Sequence, residues 1–165
     1  MKTLITDLVL LTTLGAFLLG CSAERVAKSG DKVKVHYTGK LEDGSIFDSS
    51  RDREPFELTI GSGSTIPGFE SAIVGMAIGD TITITILPVE AYGPKREDLF
   101  ITIGRDQIPQ DMTPVVGQPL QMQDPNGNIV NVTITDVRPD SVSFDANHPL
   151  AGKILIFEIE LIEIS

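Results

Sequence analysis

The sequence predicts an α+β fold in which several antiparallel strands wrap around one short helix. The clearest strand signal is Thr81–Ile86, where threonine and isoleucine alternate and therefore line opposite sides. The helix signal begins at Pro67, where apolar residues recur at helical spacing until Gly75 and Gly79 end the pattern. Many strands around one helix form an α+β arrangement, although strand alternation alone would also fit a β-sandwich or a small barrel.

Three further strands are predicted in the same part of the chain. Residues 32–37 place Val33, Val35 and Tyr37 on one face and polar side chains on the other. Residues 55–60 alternate in the same way and end at a glycine-rich segment. Residues 153–164 form the last strand. Its inward face is formed by four apolar side chains, Leu155, Phe157, Ile159 and Leu161.

The composition is that of a globular protein with an acidic surface. The chain has 165 residues, of which 41% are hydrophobic, and a formal net charge of −10. A negative surface repels nucleic-acid phosphates, so we expect no nucleic-acid partner. The single cysteine, Cys21, excludes an intramolecular disulfide.

The N-terminus predicts a signal peptide over residues 1–20. It has an early Lys2, an apolar middle and the segment Leu18-Leu19-Gly20-Cys21, which resembles a bacterial lipoprotein box. In such proteins the cysteine sulfur is lipidated and becomes the new N-terminus, which predicts a cell-envelope protein anchored through Cys21, with residues 21–29 as its tether. An ordinary signal peptide, or a cytosolic tail with a buried cysteine, remains the alternative. The apolar stretch is short for a transmembrane helix.

Three segments carry the chemistry of the predicted domain. They are residues 35–50, residues 66–70 and residues 91–94. Together they supply aromatic rings, the aliphatic side chain of Ile66, the carboxylate of Asp48 and the phenol of Tyr92. They offer no obvious nucleophile, metal cluster or phosphate-binding loop, so an apolar cup with few polar groups is expected.

In combination, these segments closely resemble the FKBP family of peptidyl-prolyl isomerases. The resemblance covers about residues 30–93 and resumes at 147–164, while residues 95–146 look like the inserted chaperone domain of the SlyD-like branch. It implies a curved antiparallel sheet, or half-barrel, wrapped on the helix. The expected domains are therefore 30–94 with 147–165 for the isomerase and 95–146 for a small, mostly β insert.

The resemblance also implies the site residues and the absence of a cofactor. In the family, the residue matching Ile66 binds peptide through its backbone amide, and the phenol matching Tyr92 donates to a substrate carbonyl. Phe69 stands at the floor, where the best-known members have tryptophan, and Leu150 is expected near the edge of the cup. The full set expected to act in catalysis is Tyr37, Phe47, Asp48, Phe56, Ile66, Phe69, Tyr92 and Phe157.

Residues 95–146 predict a small domain of their own. Short apolar segments alternate with prolines, and Asp124-Pro125-Asn126-Gly127-Asn128 predicts a hairpin turn. In the SlyD-like branch such a domain captures unfolded chains. The residues expected to contact clients here, or alternatively to form the insert's own core, are Leu99, Phe100, Ile101, Ile103, Met112, Val115, Val116, Leu120 and Met122.

The resulting expectation is a monomeric, membrane-tethered prolyl isomerase that acts on unfolded chains containing X-Pro bonds. A non-catalytic holdase, or a module that docks one envelope partner, uses the same cup and remains open. His36 and His148 have no second histidine, cysteine or catalytic partner at useful spacing, so solvated or hinge positions are expected for both.

Overall fold

The computed structural model describes residues 24–123 and 126–165. The predicted signal peptide, Cys21 and the first part of the 124–128 turn lie outside the described residues. Within them, no helix is long and apolar enough to cross a membrane. The elements are β1 Lys32–Leu41, β2 Ile46–Ser49, β3 Phe56–Thr59, α1 Pro67–Ile73, β4 Thr81–Ile86, β5 Phe100–Gly104, β6 Pro119–Gln123, β7 Ile129–Val137, β8 Ser141–Asp145 and β9 Leu155–Ile164.

The first sheet has five antiparallel strands and carries α1. Its order is β2-β1-β9-β4, and β3 pairs with the first half of β1 on the edge that β2 uses further along. The last strand, β9, lies centrally between β1 and β4. The predicted α+β fold, with antiparallel strands curved around one helix, is therefore confirmed.

Alternation decides which side chains of this sheet face the helix. Val33 and Val35 of β1 are buried, and the four predicted inward residues of β9 are also buried. A shift in register between Lys34 and Val35 changes the parity at the end of β9, so that Ile164 rather than Glu163 turns inward. A pattern with a simple period of two does not reveal such a bulge, because the bulge adds one residue to one strand only.

The helix α1 begins at Pro67 and ends before Gly75, as the start and stop signals in the sequence predict. Pro67 occupies the first turn, where its missing N–H costs no hydrogen bond. Gly75, just beyond the end, adopts a φ of 90°, a conformation that favours glycine. Phe69, Ile73 and Met76 are buried against the sheet, which joins the helix to the first core.

A second sheet lies between β4 and β9 in the chain. Its order is β5-β8-β7-β6, and all its pairs are antiparallel. It encloses a separate core whose buried members are Ile108, Val132, Ile134, Val142 and Phe144.

The two connections to the second sheet are bonded to each other. The buried side chain of Asn147 accepts the N–H of Arg96 at 2.8 Å and donates to the carbonyl of Arg96 at 3.0 Å. The N–H of Gly152 donates to the carbonyl of Gly93 at 2.8 Å. These bonds hold the chain leaving the first sheet beside the chain returning to it.

Candidate active site

A small cup lies between α1 and the inner face of the first sheet. Its volume is about 80 Å³. All eight residues predicted for catalysis line it, together with one residue that the sequence did not indicate, Thr65. The lining is Tyr37, Phe47, Asp48, Phe56, Thr65, Ile66, Phe69, Tyr92 and Phe157. Leu150, expected near its edge, packs against the first core but is not among the lining residues.

Aromatic rings form the floor and walls of the cup. Phe69 is buried and lies edge-on to Phe157, with ring centroids 5.2 Å apart, and edge-on to Tyr37 at 5.6 Å. Phe56 closes the same cluster with its centroid 5.9 Å from that of Tyr37. Edge-to-face packing favours these angles and holds each ring against its neighbours. The cup therefore presents a fixed apolar surface of proline-ring size.

One wall depends on a glycine in β1. Gly39 pairs with Phe157 across the sheet, and the Phe47 ring lies over it. A Cβ at Gly39 would stand 2.6 Å from Cζ of Phe47 and 3.0 Å from Cε1 of Phe157, too close for either ring to stay in place. The absence of a side chain here lets Phe47 enter the cup and pack edge-on against Phe157.

The polar side of the cup is a chain of three groups. The Tyr37 hydroxyl donates to one carboxylate oxygen of Asp48 in a short hydrogen bond. The guanidinium of Arg53 donates to the other oxygen at 2.5 Å and also reaches the Tyr37 hydroxyl at 3.3 Å. Burial, and then the hydrogen bond to Asp48, raise the pKa of Tyr37 to about 12. Tyr37 is therefore a neutral phenol at physiological pH.

Arg53 is a site residue that the sequence alone did not indicate. It lies in the loop between β2 and β3, five positions after Asp48. Its side chain is more than half exposed, yet it neutralises the carboxylate at the cup. A basic residue in a polar loop carries no periodic signal, so only the folded loop brings this ion pair together.

Tyr92 lies at the open side of the cup and stacks on a histidine. Its ring is parallel to that of His148, with an interplanar angle of 4° and centroids 3.8 Å apart. Nδ1 of His148 accepts the N–H of Leu150 at 3.1 Å, which leaves the ring proton on Nε2. Burial lowers the pKa of His148, so the neutral ring is favoured. The expectation of a hinge position misses this contact with the cup.

The backbone N–H of Ile66, a residue that lines the cup, is a donor without a partner in the described part of the chain. Ile66 precedes the helix, and its carbonyl accepts the N–H groups of Phe69 and Glu70. Its own N–H has no hydrogen-bond partner among the described residues. An unpaired donor beside an apolar cup is available to a peptide carbonyl.

A buried carboxylate supports the loop that precedes Ile66. Glu70 accepts the backbone N–H of Gly61 at 2.7 Å and that of Thr65 at 3.2 Å. Burial opposes its ionisation, but these N–H donors outweigh burial and lower the pKa of Glu70. Glu70 thereby fixes the loop that ends at the cup, a role that the sequence alone did not indicate.

The apolar residues of the second sheet fall into two groups. Phe100 and Ile101 are each 40% exposed, and Val115 and Val116 are about 60% exposed. Leu99 is half-buried. The remaining members pack against the core of the second sheet instead, namely Ile103, Met112, Leu120 and Met122.

Comparison with known proteins gives a single family. A family model described as FKBP-type peptidyl-prolyl cis-trans isomerase matches residues 23–162. The SlyD FKBP-type isomerase of Treponema pallidum is 41% identical over 127 residues, or 77% of this chain and 72% of that protein. An FKBP-type 16 kDa isomerase of Escherichia coli is 32% identical over 83% of this chain and 93% of its own.

Within the described residues no group of three or more histidine, cysteine or acidic side chains is arranged to hold a metal ion. The cup is apolar, with the Tyr37–Asp48 pair and the unpaired N–H of Ile66 beside it, which suits the binding of a peptide without a covalent step. With the match over residues 23–162, this makes the chain a member of the FKBP-type peptidyl-prolyl cis-trans isomerases.

Proposed function

We propose that this isomerase works in the cell envelope. We further propose that its cup catalyses rotation about the X-Pro bond and that its second sheet captures unfolded clients. The observation that carries the proposal is the cup itself, where six aromatic side chains surround about 80 Å³ beside the unpaired backbone N–H of Ile66. The size and polarity of this space suit a proline ring and the carbonyl before it.

The chemistry needs no cofactor and no covalent intermediate. Rotation about an X-Pro bond crosses a barrier of about 18–20 kcal/mol, because resonance stiffens the amide. An amide twisted out of plane is less polar than a planar one, so an apolar cup disfavours the planar form more strongly. Binding the twisted form more tightly than either planar form lowers the barrier.

Each polar group of the cup has a proposed part in holding the peptide. The N–H of Ile66 donates to a carbonyl on one side of the proline, and the Tyr92 hydroxyl donates to a carbonyl on the other. Asp48, fixed by Tyr37 and Arg53, faces the carbonyl carbon of the rotating bond. The aromatic floor at Phe69 holds the proline ring while the remainder of the bond turns.

Client capture is proposed for the exposed part of the second sheet. Phe100 and Ile101 lie on β5, an edge strand of that sheet, which follows Tyr92 in the chain after a short connection. Val115 and Val116 add a second exposed apolar pair. Weak binding here raises the local concentration of X-Pro bonds at the cup.

Two substrates separate capture from catalysis. In F100S/I101S we expect slower catalysed refolding, by severalfold, of a protein whose refolding is limited by proline isomerisation. A short X-Pro peptide should be isomerised at the wild-type rate. I129S is the matched control, because Ile129 is an exposed aliphatic residue of the same sheet. Equal losses on both substrates would contradict capture by the second sheet. No turnover of the peptide by the wild-type chain would favour a non-catalytic holdase.

The envelope location rests on the sequence before the described residues. The segment ending in Cys21 resembles a lipoprotein box, so the proposed anchor is a lipid on that sulfur. Mass spectrometry of the mature N-terminus should find a diacylglyceryl thioether on Cys21. C21S should move the protein from the membrane fraction to the soluble fraction, and unchanged membrane binding would contradict the anchor.

A further inference from the structure

We infer that one end of the first sheet rests on the lipid surface and that the cup and the second sheet face away from it. This inference rests on the lipid anchor proposed for Cys21. The surface concerned, here called the entry face, consists of Arg25, Lys28, Val74 and Ile78. It surrounds the place where the chain enters the folded domain.

The chain becomes fixed to the domain almost immediately after Cys21. Val26 forms a bridge with Ala77, and the N–H of Ala27 donates to the carbonyl of Met76 at 2.8 Å. Arg25 donates to the backbone carbonyls of the last two residues, each at 3.3 Å. The domain is thus held to its N-terminal segment from Arg25 onward.

The tether left between the lipid and the domain is therefore short. From Cys21 to Arg25 a fully extended chain spans at most about 14 Å. The headgroup layer takes up roughly 5–8 Å of that distance. Arg25, where the chain enters the domain, consequently stays within about 10 Å of the headgroups.

The entry face has the chemistry of a surface that touches headgroups. Val74 is 50% exposed and Ile78 is 51% exposed, and they flank the bridge between Val26 and Ala77. Arg25 and Lys28 add two cations in a chain whose net charge is −10. Exposed aliphatic side chains with cations close by suit the interfacial region of a membrane.

Three nearby acids, Glu24, Asp31 and Asp80, offset the two cations, so the short tether and the exposed aliphatic side chains carry the inference. Asp31 accepts the N–H of Lys28 at 3.0 Å and lies 3.6 Å from the guanidinium of Arg25. Asp80 accepts the N–H of Ala77 at 2.8 Å. Both carboxylates also accept backbone N–H groups of the turns at the entry face, and Glu24 is a further exposed acid beside them.

The strand directions fix which end faces away. β4 starts directly after Asp80 at the entry face, and its six residues extend about 20 Å. Tyr92 and the second sheet follow its far end. β9 returns antiparallel from Leu155, opposite Ile86, to Ile164 beside the entry face. A domain resting on the entry face therefore presents its client-binding end to the envelope space.

The test uses the full chain, acylated in cells and reconstituted in vesicles of phosphatidylethanolamine and phosphatidylglycerol. V74C and I78C each introduce the one thiol that acylation leaves free, since Cys21 is the single natural cysteine. An environment-sensitive fluorophore on either should be quenched by lipids brominated near the headgroup. The controls V89C and I129C carry it on exposed aliphatic positions at the far end and should show several times less quenching.

Two outcomes overturn the inference, and they are distinguishable. Equal quenching at Val74, Ile78, Val89 and Ile129, with a lipid found on Cys21 by mass spectrometry, refutes the orientation and leaves the anchor standing. An unmodified Cys21 refutes the anchor and the orientation together. V74S/I78S should keep wild-type turnover of a short X-Pro peptide, which shows that the fold and the cup are intact.

Discussion

Tyr92 and His148 stack face to face, although the whole second sheet separates them in the sequence. The stack joins the chain leaving the first sheet to the chain returning to it, and it holds the phenol beside the cup. A contact of this kind contributes about 0.5–1.5 kcal/mol. The position of Tyr92 thus depends on a residue that does not line the cup.

Replacing His148 tests that dependence. We expect H148A to lower kcat/KM for a short X-Pro peptide by about threefold to tenfold, which corresponds to the loss of such a contact. H148F keeps a ring against Tyr92 and should stay close to the wild type. Equal losses in the two variants would show that the hydrogen bond to Leu150, and not the stack, supports the site.

The phenol of Tyr37 should lose its proton at an unusually high pH. Its folded pKa of about 12 lies above the ordinary 10.0, so the neutral form is favoured on folding. The stability that this provides is present below pH 10 and is lost as pH rises through 12. Y92F leaves Tyr37 as the single tyrosine, because the chain has two.

Ultraviolet absorbance of Y92F therefore reports Tyr37 alone. We expect one phenolate transition near pH 12, and a lower midpoint when D48A is added, because the hydrogen bond to Asp48 helps to raise the pKa. A transition at the ordinary value in folded Y92F would mean that the phenol is neither buried nor bonded to Asp48.

Alanine at position 39 should fit the backbone of β1 but disturb the aromatic wall of the cup. The φ of Gly39 is not in the left-handed region, so alanine fits the strand, yet the new Cβ would meet Phe47 and Phe157. Overpacking of this kind costs about 1–3 kcal/mol. We expect G39A to fold with a lower Tm and to lose about tenfold in peptide turnover, as the Phe47 ring is displaced.

The matched control for Gly39 is G104A in the second sheet. There the new Cβ meets only the end of the Asp106 side chain, which can turn away. Peptide turnover by G104A should equal that of the wild type. If G39A keeps full turnover, the Phe47 wall does not contribute to the cup.

Glu70 should make stability depend on acid pH. Its pKa is lowered in the folded state, so its contribution is present above the unfolded value and is lost as pH falls through the folded value. E70A leaves the N–H groups of Gly61 and Thr65 without their acceptor and should cost about 1–3 kcal/mol in urea unfolding. The exposed E54Q should leave stability unchanged, and a similar loss in both variants would contradict this role.

The sequence predicted the strands that alternate cleanly and the helix between its proline and glycine signals. β4 and the inward face of β9 are confirmed residue by residue, because one side of each is buried. β2 was not predicted, since its residues Ile46-Phe47-Asp48-Ser49 do not alternate between apolar and polar. The parity change at Ile164 was missed because a bulge in β9, where Ile162 is the extra residue, causes it.

The site residues also divide into those that the sequence indicated and those that only the folded structure reveals. The eight cup residues were expected from the family resemblance, and the structure brings them together around one cavity. Arg53, His148 and Glu70 were missed because each acts across a loop or across the second sheet. Contacts between segments far apart in the chain leave no local pattern for a single sequence to reveal.

NMR exchange spectroscopy of a short X-Pro peptide tests most directly whether the cup catalyses rotation about the X-Pro bond. We predict rapid cis/trans exchange with the wild-type chain, a loss of about fivefold with Y92F, and a larger loss with D48A. I129S, outside the cup, should exchange the peptide at the wild-type rate. Full exchange rates in folded Y92F and D48A would contradict the account, because catalysis would then lie outside this cup.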